Sequence, residues 1–179
     1  MRRSLLMLPV LVLMSACAQD DSGAAPSRSD PPRAELAIRD CSEVATLAGE
    51  LIRGMQPTPV AQEAPPGDLL CAWWNTEANS SFSLSVHTHA STSMAGFTEE
   101  VLRQGGYQRV PAPAFDQLGG AAAWMAVNDE QAGFSGQLMA QVDDVQVLLV
   151  NLVSVQGSGQ SARLDKERAV QIASRLVQP

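Results

Sequence analysis

The sequence has few of the side chains that bind charged ligands or transfer protons. Only 4% of its 179 residues are aromatic, two are histidines, three are cysteines, and 12 basic residues stand against 19 acidic ones. A nucleic-acid-binding protein needs a clustered basic surface, which a chain with a net charge of −7 does not offer. We therefore expect no nucleic-acid partner.

Several motifs that carry chemistry are also missing. The sequence has no Gly-x-Ser-x-Gly nucleophile elbow, no phosphate-binding glycine loop before a helix and no Cys-x-x-Cys pair. The adjacent carboxylates Asp143 and Asp144 fall where a tight hairpin turn is expected. These absences predict no cofactor and favour a protein that is not an enzyme.

The apolar run at the start of the chain, residues 5–14, is about half the length of a membrane-spanning helix, which needs roughly 20 residues. Two arginines precede the run, and two small residues and Cys17 follow it, as in a secretory signal. The segment "MSAC" resembles the bacterial lipobox, although Met14 stands where that motif prefers leucine. The resemblance implies cleavage before Cys17 and a diacylglycerol on its sulfur.

These features predict the domain organisation. Residues 1–16 are expected to be a signal peptide, 17–34 a lipidated flexible tether, and 35–179 a single domain. The tether is small, polar and proline-containing, so it has too little apolar surface to order itself. Without the two arginines of the signal, the net charge falls from −7 to about −9, so the acyl chains must supply the membrane attachment.

Cys41 and Cys71 remain once Cys17 is lipidated. An even number of cysteines in an exported, oxidising setting predicts a disulfide, which would close a loop of about 30 residues. A free redox pair is the alternative, but the Cys-x-x-Cys spacing that lowers a thiol pKa is absent.

Short segments that either alternate or are apolar on both faces are predicted to be strands, and the hairpin loops between them predict a mainly antiparallel sheet of five to six strands. The predicted strands are 69–75, 81–89, 107–110, 121–127, 134–142 and 145–155. Residues 55–67, with four prolines, are expected to form a loop. Strand 145–155 is apolar on both faces, so we expect it to be central and covered by helices on each side.

Three segments have helical periodicity, over residues 40–54, 93–104 and 164–178. The first should end near Gly54, and the second should bury either Val101 or Leu102. In the third, Asp165 is a candidate N-cap. Its expected core stripe consists of Leu164, Ala169, Ile172, Ala173 and Leu176. Helices packed on a hairpin-rich sheet define an α+β fold.

A lipobox, a tether, "DC" opening a helix, "CAWW" on the first strand and the later "QLGGAAAW" resemble a family of secreted, mostly actinobacterial lipoproteins. The family is known as a domain of unknown function, and the match covers most of residues 38–178. The resemblance implies a PsbP-like α/β sandwich on the cell surface. It also implies the Cys41–Cys71 bridge, and it adds no catalytic residue.

The two histidines are the candidates for metal chemistry. His87 and His89 are two residues apart on a predicted strand, so both rings are expected on one face, where they form half of a zinc or copper site. The alternative is a polar face that continues the serines before them toward solvent. Adjacent Trp73 and Trp74 must face opposite sides of the sheet, one in the core and the other under a helix or in a groove.

The sequence therefore predicts an exported lipoprotein anchored to a bacterial membrane through Cys17. That membrane is the cell membrane, or the outer membrane in a Gram-negative cell. The domain is expected to bind an envelope protein or a small apolar ligand without catalysis. The alternative function is a metal-dependent envelope enzyme built on His87 and His89.

Cys17→Ala should abolish fatty-acid incorporation and release the protein from membranes, because the sulfur that accepts the lipid is lost. Metabolic labelling with a radioactive fatty acid, followed by membrane fractionation, measures both effects. A variant that still carries the label would contradict the assignment of Cys17.

Overall fold

The computed structural model describes residues 34–59, 64–90, 93–155 and 162–178. The expected signal peptide, Cys17 and nearly all of the expected tether lie outside these residues. No helix within the described residues is long and apolar enough to cross a membrane.

The described residues form nine strands and four α-helices. The strands are β1 (Glu35–Leu36), β2 (Gln56–Pro57), β3 (Leu69–Asn75), β4 (Ser80–His87), β5 (Gln108–Val110), β6 (Ala121–Asp129), β7 (Gly133–Val142), β8 (Val145–Val153) and β9 (Val177–Gln178). The helices are α1 (Cys41–Ala48), α2 (Glu99–Gln104), α3 (Pro113–Asp116) and α4 (Lys166–Leu176).

Seven of these strands form one antiparallel sheet, in the order β2-β3-β4-β8-β7-β6-β5. Strands β1 and β9 pair separately, also antiparallel. The predicted α+β class and mainly antiparallel sheet are confirmed. The sheet has one strand more than expected because β2 lies inside the predicted proline-rich loop. Pro57 is tolerated there since β2 is an edge strand, with no further partner to receive an N–H.

Capping residues set the bounds of the helices more tightly than periodicity does. The Asp40 carboxylate accepts the N–H groups of Ser42 and Glu43 and begins α1. The helix ends at Gly49, whose φ of +54° suits glycine, and one 3₁₀ turn (Gly49–Ile52) completes the segment predicted to reach Gly54. Asp165 caps α4 as predicted, accepting the N–H of Arg168 at 2.7 Å.

The second predicted helix, 93–104, is interrupted. A 3₁₀ turn covers Met94–Gly96, and α2 begins afresh after Thr98, whose hydroxyl accepts the N–H of Val101. Leu102 is buried and Val101 is half exposed, which resolves the alternative left by the periodicity.

The main core lies between α1, α3, α4 and one face of the sheet. That face contributes Phe82, Leu84, Leu138 and Leu149, all essentially inaccessible to solvent. Every residue of the predicted stripe on α4 is buried against them. A smaller cluster on the opposite face joins Met94 and Leu102 to Ala123, so the 3₁₀ turn and α2 cover only the β6 and β7 end of that face.

The expectation that β8 is covered on both sides is wrong. It is central, between β4 and β7, but Leu148 and Val150 are only half buried and Leu152 is 42% exposed on the side away from the main core. The physical reason is that α1, α3 and α4 all pack on the same face. Apolar residues on both faces of a strand therefore reflect an open apolar surface here and not a second helical layer.

Cys41 and Cys71 form a disulfide, as predicted, with their Cα atoms 5.5 Å apart. The bond joins the first residue of α1 to the middle of β3, 30 residues later. It therefore ties the helix to the sheet next to an edge.

Replacing both cysteines, Cys41→Ser with Cys71→Ser, should lower the free energy of unfolding by about 2–5 kcal/mol, as for other small secreted domains. The loss arises mainly because the unfolded chain regains the entropy of a loop of about 30 residues. Denaturant unfolding of the wild type with and without reductant gives the same comparison without mutation. Two free thiols in the native protein would remove the basis of this prediction.

Candidate functional site

The two histidines do not share a strand. β4 ends at His87, and His89 lies in the exposed bend that follows it. The prediction that both rings project from one strand face is therefore wrong. The backbone N–H of Thr88 donates to the Asp68 side chain at 2.8 Å and not to a neighbouring strand, so β4 ends at His87.

Asp68 and His87 form a pair at this end of the sheet. Asp68 precedes β3 and lies one step beyond the Leu69–Val86 pair, opposite His87. The Nδ1 atom of His87 is 3.0 Å from Oδ2 of Asp68, whose Oδ1 also accepts the Thr88 hydroxyl at 3.1 Å. The Asp68 side chain is only 7% exposed, whereas that of His87 is 41% exposed.

The surroundings of Asp68 favour its ionised form. Burial raises the pKa of this carboxyl, but hydrogen bonds from the Thr88 N–H, from His87 and from the Thr88 hydroxyl outweigh that effect, so the pKa lies below its ordinary value of 3.8. Asp68 is thus a buried acceptor that joins the start of β3 to the end of β4.

The pair also limits what His87 can do chemically. Its Nδ1 is committed to Asp68, and no hydroxyl among the described residues is hydrogen-bonded to its ring. In the part of the chain that the structure describes, no group of three or more His, Cys, Asp or Glu side chains is placed to hold a metal ion. The geometry supports a structural contribution of Asp68 and His87 at the sheet's end.

The second feature is the sheet face opposite the main core, where side chains fall into three cross-strand rows. The registers between β3, β4, β8, β7 and β6 align Trp74, Ser81, Leu152, Ser135 and Val127 in the first row. The second row is Ala72, Ser83, Val150, Gln137 and Met125. The third is Leu70, Ser85, Leu148, Met139 and Ala123. We call these three rows the open face.

The open face is striped and uncharged. Apolar columns on β3, β8 and β6 alternate with columns on β4 and β7 that are mostly serine and glutamine. None of its fifteen side chains is acidic or basic. Among the described residues, the 3₁₀ turn and α2 cover one corner of it, where Ala123 and Met139 lie.

The first row is the most exposed part of the open face. Trp74 is 41%, Leu152 42% and Val127 50% exposed, whereas Trp73, on the other side of β3, is buried. This confirms that the two tryptophans face opposite sides of the sheet. A hollow of about 310 Å³ is lined by these three residues together with Ser135 and the turn between β6 and β7.

Sequence reasoning identified the components of the open face but not the surface itself. The sequence predicts that the serines of β4 lie on one face and that Trp74 lies opposite Trp73. It does not predict the exposed apolar residues of β8, because a strand that is apolar on both faces is expected to be buried on both. One feature of the sequence does indicate an open face. A strand that alternates fully, β4, needs one side in water, and its neighbours β3 and β8 share that side although they are apolar on both faces.

Comparison with known proteins assigns no family. No family model matches the chain, and no curated protein sequence matches it. One similar solved structure is an uncharacterized protein from Mycobacterium smegmatis, the Rv0999 ortholog. It is 16% identical with a TM-score of 0.39, over 80% of this chain and 74% of that one. At this level of similarity, function has to be argued from the residues of this chain.

Asp68→Ala should lower the free energy of unfolding by about 1–3 kcal/mol at neutral pH, because it leaves the Thr88 N–H and its neighbours without their acceptor. Since the pKa of Asp68 is lower in the folded state, its stabilising effect is full above about pH 4. It is lost as the pH falls through the folded-state pKa.

Denaturant titrations of the wild type and the variant, at neutral pH and at about pH 2, measure this difference. Asp144→Ala, in the exposed turn between β7 and β8, is the matched control and should change little. If Asp68→Ala lowered the free energy of unfolding as much at low pH as at neutral pH, the role assigned to the ionised Asp68 carboxylate would be contradicted.

Proposed function

We propose that this chain is a lipid-anchored protein of the bacterial cell envelope whose domain binds a ligand or a partner on the open face, without catalysis. The observation that carries the proposal is the combination of exposed Trp74, Leu152 and Val127 in a single uncharged row. Soluble domains seldom leave large apolar side chains together on one surface unless something binds there.

The chemistry of the open face favours binding over catalysis. Its fifteen side chains include no carboxylate, imidazole or ammonium group, which are the groups that most often transfer protons in enzyme sites. They offer apolar surface, hydroxyls and one amide. Such a surface supplies contact and hydrogen bonds, and these determine affinity and orientation.

The position of the open face suits a tethered domain. Ala34, the first described residue, lines a hollow together with Asp68 and Asp144, at the end of the sheet where β3 begins. The Trp74 row lies toward the other end of the strands, and β7 has ten residues and spans about 30 Å. The first described residue and the exposed row therefore lie toward opposite ends of the strands.

The proposed anchor provides the location. A tether of residues 18–34, if flexible, has a root-mean-square length of about 20–25 Å. A domain held in this way samples the space close to the membrane surface. Binding under such conditions benefits from a high effective concentration of envelope components, so a shallow, moderate-affinity surface is adequate.

A photo-reactive phenylalanine at position 127 should form covalent adducts in intact cells, because Val127 lies at the edge of the exposed row. The same residue at position 101 is the matched control, since Val101 is equally exposed but lies on α2, outside the open face. Adduct formation is measured by the shift in mass of the immunoprecipitated protein.

Leu152→Glu, combined with the photo-reactive residue at position 127, should reduce the adducts because it places a charge in the middle of the row. Leu152 is exposed enough for this substitution to leave the fold intact. Adducts of equal yield at positions 127 and 101, with no effect of Leu152→Glu, would contradict binding at the open face.

A further inference from the structure

The chemistry of the first row narrows the choice of ligand. Its five residues alternate indole, hydroxyl, isobutyl, hydroxyl and isopropyl groups across five adjacent strands. Strands in a sheet are about 4.8 Å apart, so the row spans about 19 Å, with Trp74 at one end and Val127 at the other. Its length suits an extended molecule with both apolar and hydrogen-bonding surface.

The size of the open face argues against a second copy of this chain as the occupant. Each of the fifteen side chains occupies about 4.8 Å across the strands and about 6.7 Å along them, so the open face covers roughly 450–500 Å². A stable protein interface usually buries about 800 Å² on each partner. The open face alone is too small for that, and α2 already covers one of its corners.

The hydroxyl groups argue against a purely apolar occupant such as an acyl chain. Ser81, Ser83 and Ser135 are half buried, and no hydrogen bond among the described residues engages their side chains. All of these hydroxyls still reach solvent, since the described residues include no fully buried side-chain polar atom without a partner. An acyl chain laid over them would remove their water and return no hydrogen bond, which is costly.

The charge of the open face is a third restriction on the class of ligand. The fifteen side chains of the open face are all uncharged, so they offer no ion pair to a cationic or an anionic ligand. Asp129 stands at the rim of the hollow, where its carboxylate accepts the N–H groups of Gln131 and Ala132, and its negative charge disfavours an anionic ligand. The complementary ligand is an uncharged one.

We propose that the Trp74 row is a binding site for an uncharged glycan chain. A sugar ring has an apolar C–H face, which the exposed indole of Trp74 can cover, and a rim of hydroxyls, which can exchange hydrogen bonds with Ser81 and Ser135. Leu152 and Val127 contact the further rings along the row. This inference rests on the proposed function, in that the open face is taken to be the binding surface.

Calorimetric titration of the purified full chain with maltohexaose, cellohexaose and chitohexaose tests the proposal. At least one of these neutral hexasaccharides should bind. Trp74→Ala should weaken that binding about tenfold or more, as expected for a central aromatic contact, whereas Trp74→Phe should retain most of it. Val101→Ala, which removes an equally exposed side chain elsewhere, should leave the affinity unchanged.

Two outcomes overturn the glycan site. One is the absence of binding by all three hexasaccharides, and the other is binding that Trp74→Ala does not weaken. A parallel titration with dodecanol separates the two proposals. If dodecanol binds in a Trp74-dependent manner and no hexasaccharide does, the ligand class is wrong but the open face remains a binding surface. If neither probe binds and position 127 forms no adducts in cells, the proposed function fails as well.

Discussion

The register of the three central strands is the constraint on which the rest of this structure depends. Leu84 of β4, Leu149 of β8 and Leu138 of β7 lie side by side across the sheet and are all buried. Because side chains alternate along a strand, this one alignment also determines which residues face the other way. A slip of one residue in β8 would bury Leu148 and Leu152 and place Leu149 on the open face. The core and the open face are thus two results of the same pairing.

A buried asparagine reinforces that register. Asn151 is inaccessible to solvent; its amide donates to the carbonyl of Ser81 on β4, and its oxygen accepts the N–H of Leu164 at the entry to α4. Burying an amide without its hydrogen bonds is costly, so the bond from Asn151 to Ser81 favours this register of β8 against β4. The bond from Leu164 to Asn151 likewise fixes where the chain enters α4. It thereby links the sheet alignment to the helix that covers it.

The asymmetry of the two sheet faces is the basis of the proposed function. One face is covered by α1, α3 and α4, and α1 is held to β3 by the Cys41–Cys71 bond. The other face carries apolar columns separated by columns of mostly serine and glutamine, and within the described part of the chain it is covered at one corner. An antiparallel sheet can leave one face in water, but that face is usually polar. Trp74 and Leu152 are apolar and yet exposed on this face. A ligand bound over them would bury this apolar surface.

The sequence by itself determined the local elements and the strand faces of this protein. Alternation predicted β4, a short apolar run predicted β3, the adjacent Asp143 and Asp144 predicted a hairpin turn, and cysteine count predicted the disulfide. Each of these depends on residues close in sequence or on chemistry that is independent of the fold. The tertiary structure decided what covers each face. The sequence assigned the second face of β8 to a buried layer and placed His89 on a strand. Both errors have the same origin: the packing side of α1, α3 and α4, and the capture of the Thr88 N–H by Asp68, depend on contacts between segments that are distant in sequence.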